Sequence, residues 1–365
     1  MARIRAPLYS FAAPILAQQR LAEKEPMVCR GTPAVFAAAR SACVVALIEL
    51  AGCVPALAPH GPDIATAAIG KDVFIARDGS QLPLRHWDAD HPRAILVALH
   101  GMSDYSEAFD LPGPWWAAHG ITTYAFDQRG FGGSTGAGTW AGSEPMRADL
   151  TDVVDAAHRK YPYLPVYALG ESMGGAVLLT ALASAHPPRI AGAILVAPAV
   201  WSRADMPLTY RAALWIASRF VPALHVSGKG LHIVACDNIE VLKKLARDPL
   251  YQHSVRADQV YGLVNLMDEA RKAPQHLRTT TPILFLYGAK DQVIPRPPTL
   301  AVIRELDGRA AVRRYPNGYH MLLRDLDGET IWADIKNWIA PARRPASVSA
   351  QTESTGRAGD EQAAR

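Results

Sequence analysis

The sequence predicts a doubly wound, mostly parallel α/β sheet with a block of helices inserted after the sixth strand. Short apolar runs alternate with helical patterns from about residue 71 to residue 198. Between residues 199 and 281 the alternation stops and helical patterns dominate, and at residue 282 the strand pattern resumes. We therefore expect the inserted helices to form a cap over the C-terminal edge of one sheet.

Six strands and three helices are predicted before the insertion. The segments Val73–Ala76 and Leu82–Trp87 flank Asp78-Gly79 and indicate an opening β-hairpin. Three further runs have the apolar pattern of buried strands in a parallel sheet: Ala94–Leu99, Val166–Gly170 and Ala193–Ala197. A further strand is predicted over Thr122–Phe126. Helices are predicted between these strands, over Pro114–His119, Pro145–Lys160 and Met173–Ala185.

The rest of the chain supplies the cap and the end of the sheet. Three cap helices are predicted, over Leu208–Phe220, Ile239–Ala246 and Ala257–Ala273. Two strands and a final helix follow, over Pro282–Tyr287, Val312–Tyr315 and Glu329–Ile339. The predicted division is an N-terminal extension (1–68), a core (69–198 and 282–340), a cap (199–281) and a disordered tail (341–365).

Composition excludes several functional classes. The 365 residues carry a net charge of +4 and form no Lys/Arg stripe with interleaved aromatic residues, which argues against a nucleic-acid partner. Among the four cysteines there is no CxxC pair, which argues against a zinc site or a thioredoxin-type redox function. The oligomeric state does not follow from the sequence.

The N-terminal extension has the plan of a bacterial export signal. Arg40 precedes the apolar run Ala42–Ile48, and Leu50-Ala51-Gly52-Cys53 resembles a lipobox, in which the cysteine becomes lipidated. Met27 would give a signal of ordinary length. This pattern favours an exported or membrane-anchored lipoprotein, with Cys53 as a possible membrane contact.

Other features of the extension leave alternatives open. Ala56-Leu57-Ala58 offers a cleavage site for simple secretion. Glu49 follows the apolar run directly, where a charge opposes insertion, and the run is too short to span a bilayer. An Ala-rich extension on a cytoplasmic enzyme is the alternative.

Ser172 is the predicted nucleophile. It stands in Gly170-Glu171-Ser172-Met173-Gly174, between a strand and a helix, which is the context of a nucleophile elbow. The two glycines allow a sharp turn and close packing of strand and helix. The alternative is an ordinary serine in a Gly-rich turn.

Asp291 and His320 are the predicted partners of Ser172. A serine hydroxyl needs a base, and the base needs a group that orients it. Asp291 and His320 each follow a predicted strand, in the chain order serine, acid, histidine that this fold requires. Asp291 could instead start a turn, and His320 is one of twelve histidines. The nearest rival acids, Asp325 and Asp327, come after the histidine.

Two backbone N–H groups are predicted to form an oxyanion hole. The fold takes one from the residue after the nucleophile and one from an earlier strand-end loop. These would be Met173 and Met102, the latter following His100-Gly101. The alternative for His100-Gly101 is a plain turn that ends a strand.

For several other residues the sequence predicts a structural role or a buried position. The turn Asp127–Gly132 is expected to support the site, with Arg129 in a salt bridge, and Glu171 is expected to pair with a base. Cys236 is expected to be a buried small hydrophobe. Five aromatic residues could line an acyl pocket, although core packing is the expected position of most: Trp115, Trp116, Trp201, Tyr210 and Trp215.

These motifs together resemble the α/β-hydrolase superfamily, and within it the monoglyceride lipase and lysophospholipase-like group. The resemblance covers about residues 71 to 340 and rests on His100-Gly101, Asp127–Gly132, Gly170–Gly175, Gly288–Asp291 and Gly318–His320, with Asp237-Asn238 and Arg247–Leu250 in the cap. It implies the α/β-hydrolase fold and serine-dependent ester hydrolysis without a metal or organic cofactor. The group's monoglyceride lipases tend to carry a glutamate soon after the oxyanion glycine, whereas this loop reads Met102-Ser103-Asp104-Tyr105-Ser106.

The expected activity is hydrolysis of the carboxylic ester of a single-chain acyl lipid, a monoacylglycerol or lysophospholipid. A small-molecule carboxylesterase or an acyltransferase of the same fold is the alternative within this chemistry. A peptidase of the same fold would need a pocket for a free α-amino group, for which the sequence gives no sign. A non-catalytic binding module is the alternative from another class. Such modules typically lose a triad residue, and this chain keeps all three.

Overall fold

The computed structural model describes residues 60–228, 230 and 232–339. The predicted signal, Cys53 and the tail beyond residue 340 lie outside these residues. Among the residues described, no helix combines the length and the apolar character needed to cross a bilayer.

A nine-stranded sheet forms the centre of the fold. In chain order its strands are β1 (Ala68–Ile69), β2 (Val73–Ile75), β3 (Gln81–Trp87), β4 (Ala94–Leu99), β5 (Ile121–Phe126), β6 (Val166–Glu171), β7 (Gly192–Val196), β10 (Ile283–Gly288) and β11 (Ala310–Tyr315). Their spatial order is β1-β2-β3-β5-β4-β6-β7-β10-β11. The six strands from β5 to β11 are parallel, and the three at the other edge are antiparallel.

Helices cover both faces of the sheet. In chain order the described α-helices are α1 (Pro112–Ala118), α2 (Ser143–Lys160), α3 (Met173–Leu182), α4 (Leu208–Phe220), α5 (Ile239–Leu245), α6 (Ala257–Lys272), α7 (Arg296–Leu306) and α8 (Gly328–Ile339). One core lies under α2, α3 and α7, and a second lies under α1 and α8. Because β4, β7 and β10 are buried on both faces, their sequences read as almost continuous apolar runs. β5 and β6 are buried almost throughout as well, although they include Thr122, Thr123 and Glu171. The predicted fold class is confirmed.

The segment between β7 and β10 is mainly helical. It contains α4, α5 and α6, and a small antiparallel sheet of β8 (His225–Val226) and β9 (Val255–Arg256). α6 packs on α3 and carries α4. A Cβ on Gly262 of α6 would lie 2.4 Å from the Trp140 ring, so glycine permits this close approach. The domain boundaries stay a prediction.

Three features of the fold differ from the sequence-based expectations. The two-residue strand β1 has no sequence signal, and it makes the strand before the insertion the seventh in chain order. Helix α7 was not predicted because Pro297 and Pro298 stand at its start. Proline is compatible with the first turn of a helix, where its missing N–H is not needed. The short pair β8–β9 was also not predicted.

Candidate active site

The candidate site lies where the strand order reverses. The chain leaves β4 for β5 on one side and then returns to form β6 on the other side. In open α/β sheets ligands bind outside the carboxyl ends of the strands at such a point. His100-Gly101 follows β4 and Ser172 follows β6, so the two loops are neighbours.

The backbone at Ser172 is held in an unusual conformation. Ser172 has φ 53° and ψ −112°, directly between β6 and α3. A Cβ on Gly170 would lie 2.3 Å from the carbonyl oxygen of Gly174, and a Cβ on Gly174 would lie 2.3 Å from that of Leu99. Only glycine permits these approaches, so the Gly-x-Ser-x-Gly pattern is required by the geometry of the turn.

Ser172, His320 and Asp291 form a continuous hydrogen-bonded chain. The Oγ of Ser172 lies 2.9 Å from Nε2 of His320, and Nδ1 of His320 lies 2.8 Å from Oδ2 of Asp291. The histidine and aspartate side chains are 7% and 9% exposed. The structure therefore brings together the three residues that the sequence singled out, from loops after β6, β10 and β11.

The carboxylate of Asp291 is fixed by its own loop. Its Oδ1 accepts hydrogen bonds from the backbone N–H groups of Val293 (2.7 Å) and Ile294 (3.0 Å). Oδ2 is then directed to His320. An ionised Asp291 can only accept, so Nδ1 of His320 carries a proton and Nε2 faces the serine as an acceptor.

His100 shapes the loop that follows β4. Its Nε2 accepts from the backbone N–H of Gln128 (2.9 Å), so Nδ1 carries the proton and donates to the carbonyl of Gly101 (2.8 Å). The Gln128 side-chain amide and the N–H of Gly174 donate to the carbonyl of His100. Complete burial lowers the pKa of His100, which favours this neutral form. The loop is thus joined both to Gln128 and to the turn at Ser172.

The two N–H groups predicted for the oxyanion hole come from adjacent segments. Met173 is the first residue of α3, so its N–H has no intrahelical acceptor. Met102 follows Gly101, whose Cβ position would lie only 3.3 Å from Cβ of Ser172. Ser103, next in the loop, has φ 70°, and strain of this kind is common at functional sites.

Arg129 joins the opening hairpin to α2. Its guanidinium donates to both oxygens of Asp149 (2.7 and 2.8 Å), to both oxygens of Asp78 (2.7 and 2.9 Å) and to the hydroxyl of Ser80 (2.9 Å). Asp127 accepts from the N–H groups of Ser106 and Gly133. The turn that contains Arg129 has the structural contacts expected from the sequence.

A second buried arginine lies beside the candidate nucleophile. Nη2 of Arg324 is 2.6 Å from Oδ2 of Asp104 and 3.2 Å from Oε2 of Glu171, and all three residues are 2–4% exposed. Burial raises the pKa of Glu171, and the charge of Arg324 opposes that rise. The sequence indicated a basic partner for Glu171 but not which one. No motif identified Asp104 or Arg324.

The loop that carries His320 is also tied to the inserted segment. The N–H of Met321 donates to the carbonyl of Ala235 (2.9 Å), and the Cys236 thiol donates to the carbonyl of Arg324 (3.4 Å). Asp325 accepts from the N–H groups of Asp237 and Tyr319. Cys236 is fully buried, as expected, and burial raises its pKa to about 12.

The predicted aromatic residues have different environments. Trp116 is completely buried and its indole donates to the carbonyl of Trp332, and the Trp115 indole donates to Glu329 at the other end of the chain. Both therefore pack against the last helix. Trp201 packs against the larger core. Trp215 and Tyr210 are 52% and 41% exposed on α4, so three of the five residues pack against a core, as expected for most of them.

A match to a known protein family shows to which family the chain belongs. Residues 90–327 match the Hydrolase_4 family, described as Serine aminopeptidase, S33. This match covers more than half of the chain. The chain belongs to that family. It is an α/β hydrolase, as the resemblance implied.

Curated relatives of this α/β hydrolase extend over most of its length. The monoacylglycerol lipase of Mycolicibacterium smegmatis is 26% identical over 73% of this chain and 95% of its own. The human monoglyceride lipase is 24% identical over 73% of this chain and 89% of its own. Phospholipase YtpA of Bacillus subtilis is 28% identical over 67% of this chain and 95% of its own.

Solved structures agree with the fold. A soluble variant of the monoglyceride lipase from Saccharomyces cerevisiae, in complex with a substrate analog, superposes with a TM-score of 0.63 at 19% identity. It covers 76% of this hydrolase and 97% of the yeast chain. The monoacylglycerol lipase of Paleococcus ferrophilus gives a TM-score of 0.59 at 21% identity, with 71% and 98% covered. At this identity the likeness establishes the fold alone.

Proposed function

We propose that this α/β hydrolase cleaves the carboxylic esters of single-chain acyl lipids through an acyl-enzyme at Ser172. The observation that carries the proposal is the hydrogen-bonded chain from Ser172 through His320 to Asp291 on a strained elbow turn. The lipase and phospholipase relatives support an ester hydrolase that acts on lipids. The finer assignment, to monoacylglycerols or lysophospholipids, is our proposal.

In the proposed first half-reaction Ser172 attacks the acyl carbonyl carbon. His320 takes the hydroxyl proton at Nε2, which lies 2.9 Å from Oγ, and Asp291 stabilises the imidazolium. The carbonyl oxygen becomes an oxyanion that accepts from the N–H groups of Met102 and Met173. The carbon–oxygen bond of the ester then breaks, and His320 gives its proton to the departing alcohol.

The second half-reaction reverses these roles with water in place of the alcohol. His320 removes a proton from water, and the water oxygen attacks the acyl-enzyme carbonyl carbon. The carbonyl oxygen again becomes an oxyanion and accepts from the same two N–H groups. The bond to Ser172 Oγ breaks and Oγ regains a proton from His320. A fatty acid leaves, and the free enzyme is restored. These steps use only groups of this chain, the substrate and one water molecule.

A substrate panel tests the assignment. It compares a long-chain monoacylglycerol, a lysophospholipid, a p-nitrophenyl butyrate ester and an aminoacyl p-nitroanilide on the full chain. We expect kcat/KM for one of the two lipids to exceed that for the anilide by at least about 10³-fold. The reason is that the proposed site binds an acyl chain and cleaves an ester, whereas the anilide is an amide without that chain. The anilide is included because the family description names an aminopeptidase.

The outcomes of the panel separate the alternatives. A preference for p-nitrophenyl butyrate by orders of magnitude, with long-chain lipids inert, would replace the lipid assignment by the small-molecule carboxylesterase. Formation of a new ester when glycerol is added, faster than release of fatty acid, would indicate an acyltransferase. Hydrolysis of the anilide alone would replace ester chemistry by peptidase chemistry.

We further propose that the exposed apolar surface of the inserted segment contacts a membrane. This surface, the α4 surface, consists of side chains that are 48–74% exposed on α4 and just after it: Leu208, Trp215, Ile216, Phe220, Val221 and Leu224. Groups of exposed apolar side chains on one element mark sites of protein or membrane contact, and the proposed substrates reside in membranes. Lipidation of Cys53, outside the described residues, stays a prediction.

Replacing Trp215 and Phe220 together by serine should weaken binding to lipid vesicles by at least about tenfold, because each aromatic side chain contributes more than 1 kcal/mol when buried. The measurement is sedimentation with phosphatidylcholine vesicles, with p-nitrophenyl butyrate hydrolysis expected to stay within about twofold. Tyr163→Ser is the matched control, because Tyr163 is 96% exposed in the turn before β6, at the other end of that strand from Ser172. Equal loss in the control, or unchanged binding in the double variant, would contradict the proposal.

A further inference from the structure

The residues Asp104, Glu171 and Arg324 come from three different segments of the candidate site, with Glu171 at the end of β6. Asp104 lies two residues after Met102, Glu171 directly precedes Ser172, and Arg324 lies four residues after His320. These are the loops proposed to supply the oxyanion donor, the nucleophile and the base. The Arg324 guanidinium contacts both carboxylates through the same nitrogen, Nη2.

The three side chains are almost completely shielded from water. Asp104 and Glu171 are 2% exposed and Arg324 is 4% exposed. In such surroundings charges interact far more strongly than at the surface, and removal of one partner leaves a buried charge without compensation. Nε and Nη1 of Arg324 and Oε1 of Glu171 have no hydrogen-bond partner among the described residues. Among the described residues, the two contacts of Nη2 are therefore the side-chain hydrogen bonds that join Arg324 to the carboxylates, while Oδ1 of Asp104 accepts from the N–H of Tyr105.

The loop of Arg324 is held on its other side by the inserted segment. The carbonyl of Arg324 accepts from Cys236, and the N–H of Leu326 donates to Asp237 (2.8 Å). Arg324 therefore has little freedom to move away from the carboxylates. A displacement of Arg324 would also displace His320, because the single short turn from Met321 to Arg324 follows His320 directly.

We propose that Arg324 is a positioning residue that holds the oxyanion loop, the nucleophile turn and the histidine loop in register through Asp104 and Glu171. Without the guanidinium, two buried carboxylates would face each other, and their repulsion would displace the loops of Met102 and Ser172. Arg324 touches no reacting atom in this scheme. The inference rests on the proposed function and adds to it a requirement that the sequence motifs do not contain.

The test is Arg324→Met in the full chain, with kcat expressed per active site titrated by a fluorophosphonate. We expect kcat to fall by about 30- to 100-fold, because small misplacements at a reacting centre have effects of this order, while KM changes by less than about threefold. Arg324→Lys keeps the charge on a shorter side chain and should recover at least about one-third of the lost activity on a logarithmic scale. Unchanged kcat per titrated site in Arg324→Met would overturn the proposal.

Arg77→Met is the control for a structural effect outside the site. Arg77 forms an ion pair with Asp152, which is 1% exposed on α2. As in Arg324→Met, loss of the guanidinium leaves a buried carboxylate without its cation, but neither residue lies in a loop of the candidate site. We expect it to lower the thermal midpoint while kcat per titrated site stays within about threefold. An equal loss of kcat in Arg77→Met would reduce the effect of Arg324 to general destabilisation.

Two near-isosteric variants keep the proposal testable if Arg324→Met does not fold. Glu171→Gln and Asp104→Asn each remove one charge and leave the size of the side chain unchanged, so each should lower kcat per titrated site by about 5- to 20-fold with a small change in KM. If kcat per titrated site is unchanged in both variants, the positioning role is refuted. Activity that survives Ser172→Ala would instead refute the proposed function, so the two failures can be told apart.

Discussion

Ser172→Ala is expected to lower kcat/KM for the best ester of the substrate panel by at least about 10⁴-fold, and to abolish labelling by a fluorophosphonate. The serine Oγ is the atom that forms the acyl-enzyme in the proposed mechanism, and water positioned in its place is a far weaker nucleophile. The fold should persist, because serine already adopts φ 53° at residue 172 and alanine, which also carries a Cβ, adds no further strain. The close approaches at Gly170 and Gly174, which shape the turn, are unchanged. Stopped assays of fatty-acid release and gel detection of the probe provide the two measurements.

Ser184→Ala is the control for the loss of a serine hydroxyl. The Ser184 hydroxyl donates to the carbonyl of Ala181 near the end of α3, so its removal should leave kcat/KM within about twofold. If Ser172→Ala keeps more than about one-tenth of wild-type activity, the acyl-enzyme at Ser172 is wrong. A folded wild-type protein that neither hydrolyses esters nor takes up the probe would favour a binding module of the same fold.

Asp291→Asn is expected to reduce kcat by about 10³- to 10⁴-fold while the protein stays folded. The amide oxygen of asparagine can still accept from Val293 and Ile294, so the loop keeps its hydrogen bonds. The amide NH₂ then faces Nδ1 of His320, which must become an acceptor, and the ring proton moves to Nε2. In that tautomer the histidine cannot take the proton of Ser172. Steady-state kinetics with p-nitrophenyl butyrate and a thermal melt measure the two effects.

Asp327→Asn is the matched control for the acid. Asp327 is one of the two rival acids that follow the histidine, and it accepts from the Thr330 hydroxyl at an exposed position. Its substitution should leave kcat within about twofold. If Asp327→Asn lowers activity as much as Asp291→Asn does, the assignment of the orienting carboxylate is contradicted.

Much of the fold could be predicted because its elements have strong local patterns. β4 begins and ends where the apolar run Ala94–Leu99 predicted, and the hairpin around Asp78-Gly79 pairs as expected. Elements with weak or misleading patterns were missed. β1 has only two residues. Pro297 and Pro298 lie in the first turn of α7 and weaken its helical pattern. Short strands depend on their neighbours in the sheet more than on their own sequence.

The sequence by itself determined the turn at Ser172 and the order of Ser172, Asp291 and His320. Each of these residues follows a strand whose pattern is local, and parallel strands bring their carboxyl ends to one edge. The glycines of the turn are likewise determined locally, because they relieve contacts of the turn with itself and with β4. These features could therefore be identified before the structure was known.

Only the tertiary structure decided which charges pair and which apolar side chains stay outside. The chain has 38 basic and 34 acidic residues, and nothing local pairs Arg324 with Asp104 and Glu171. Nor does the helical pattern of α4 reveal that Trp215 faces outward. Local sequence specifies short-range backbone conformation, whereas burial and charge pairing depend on segments that meet only when the sheet and its inserted helices have packed.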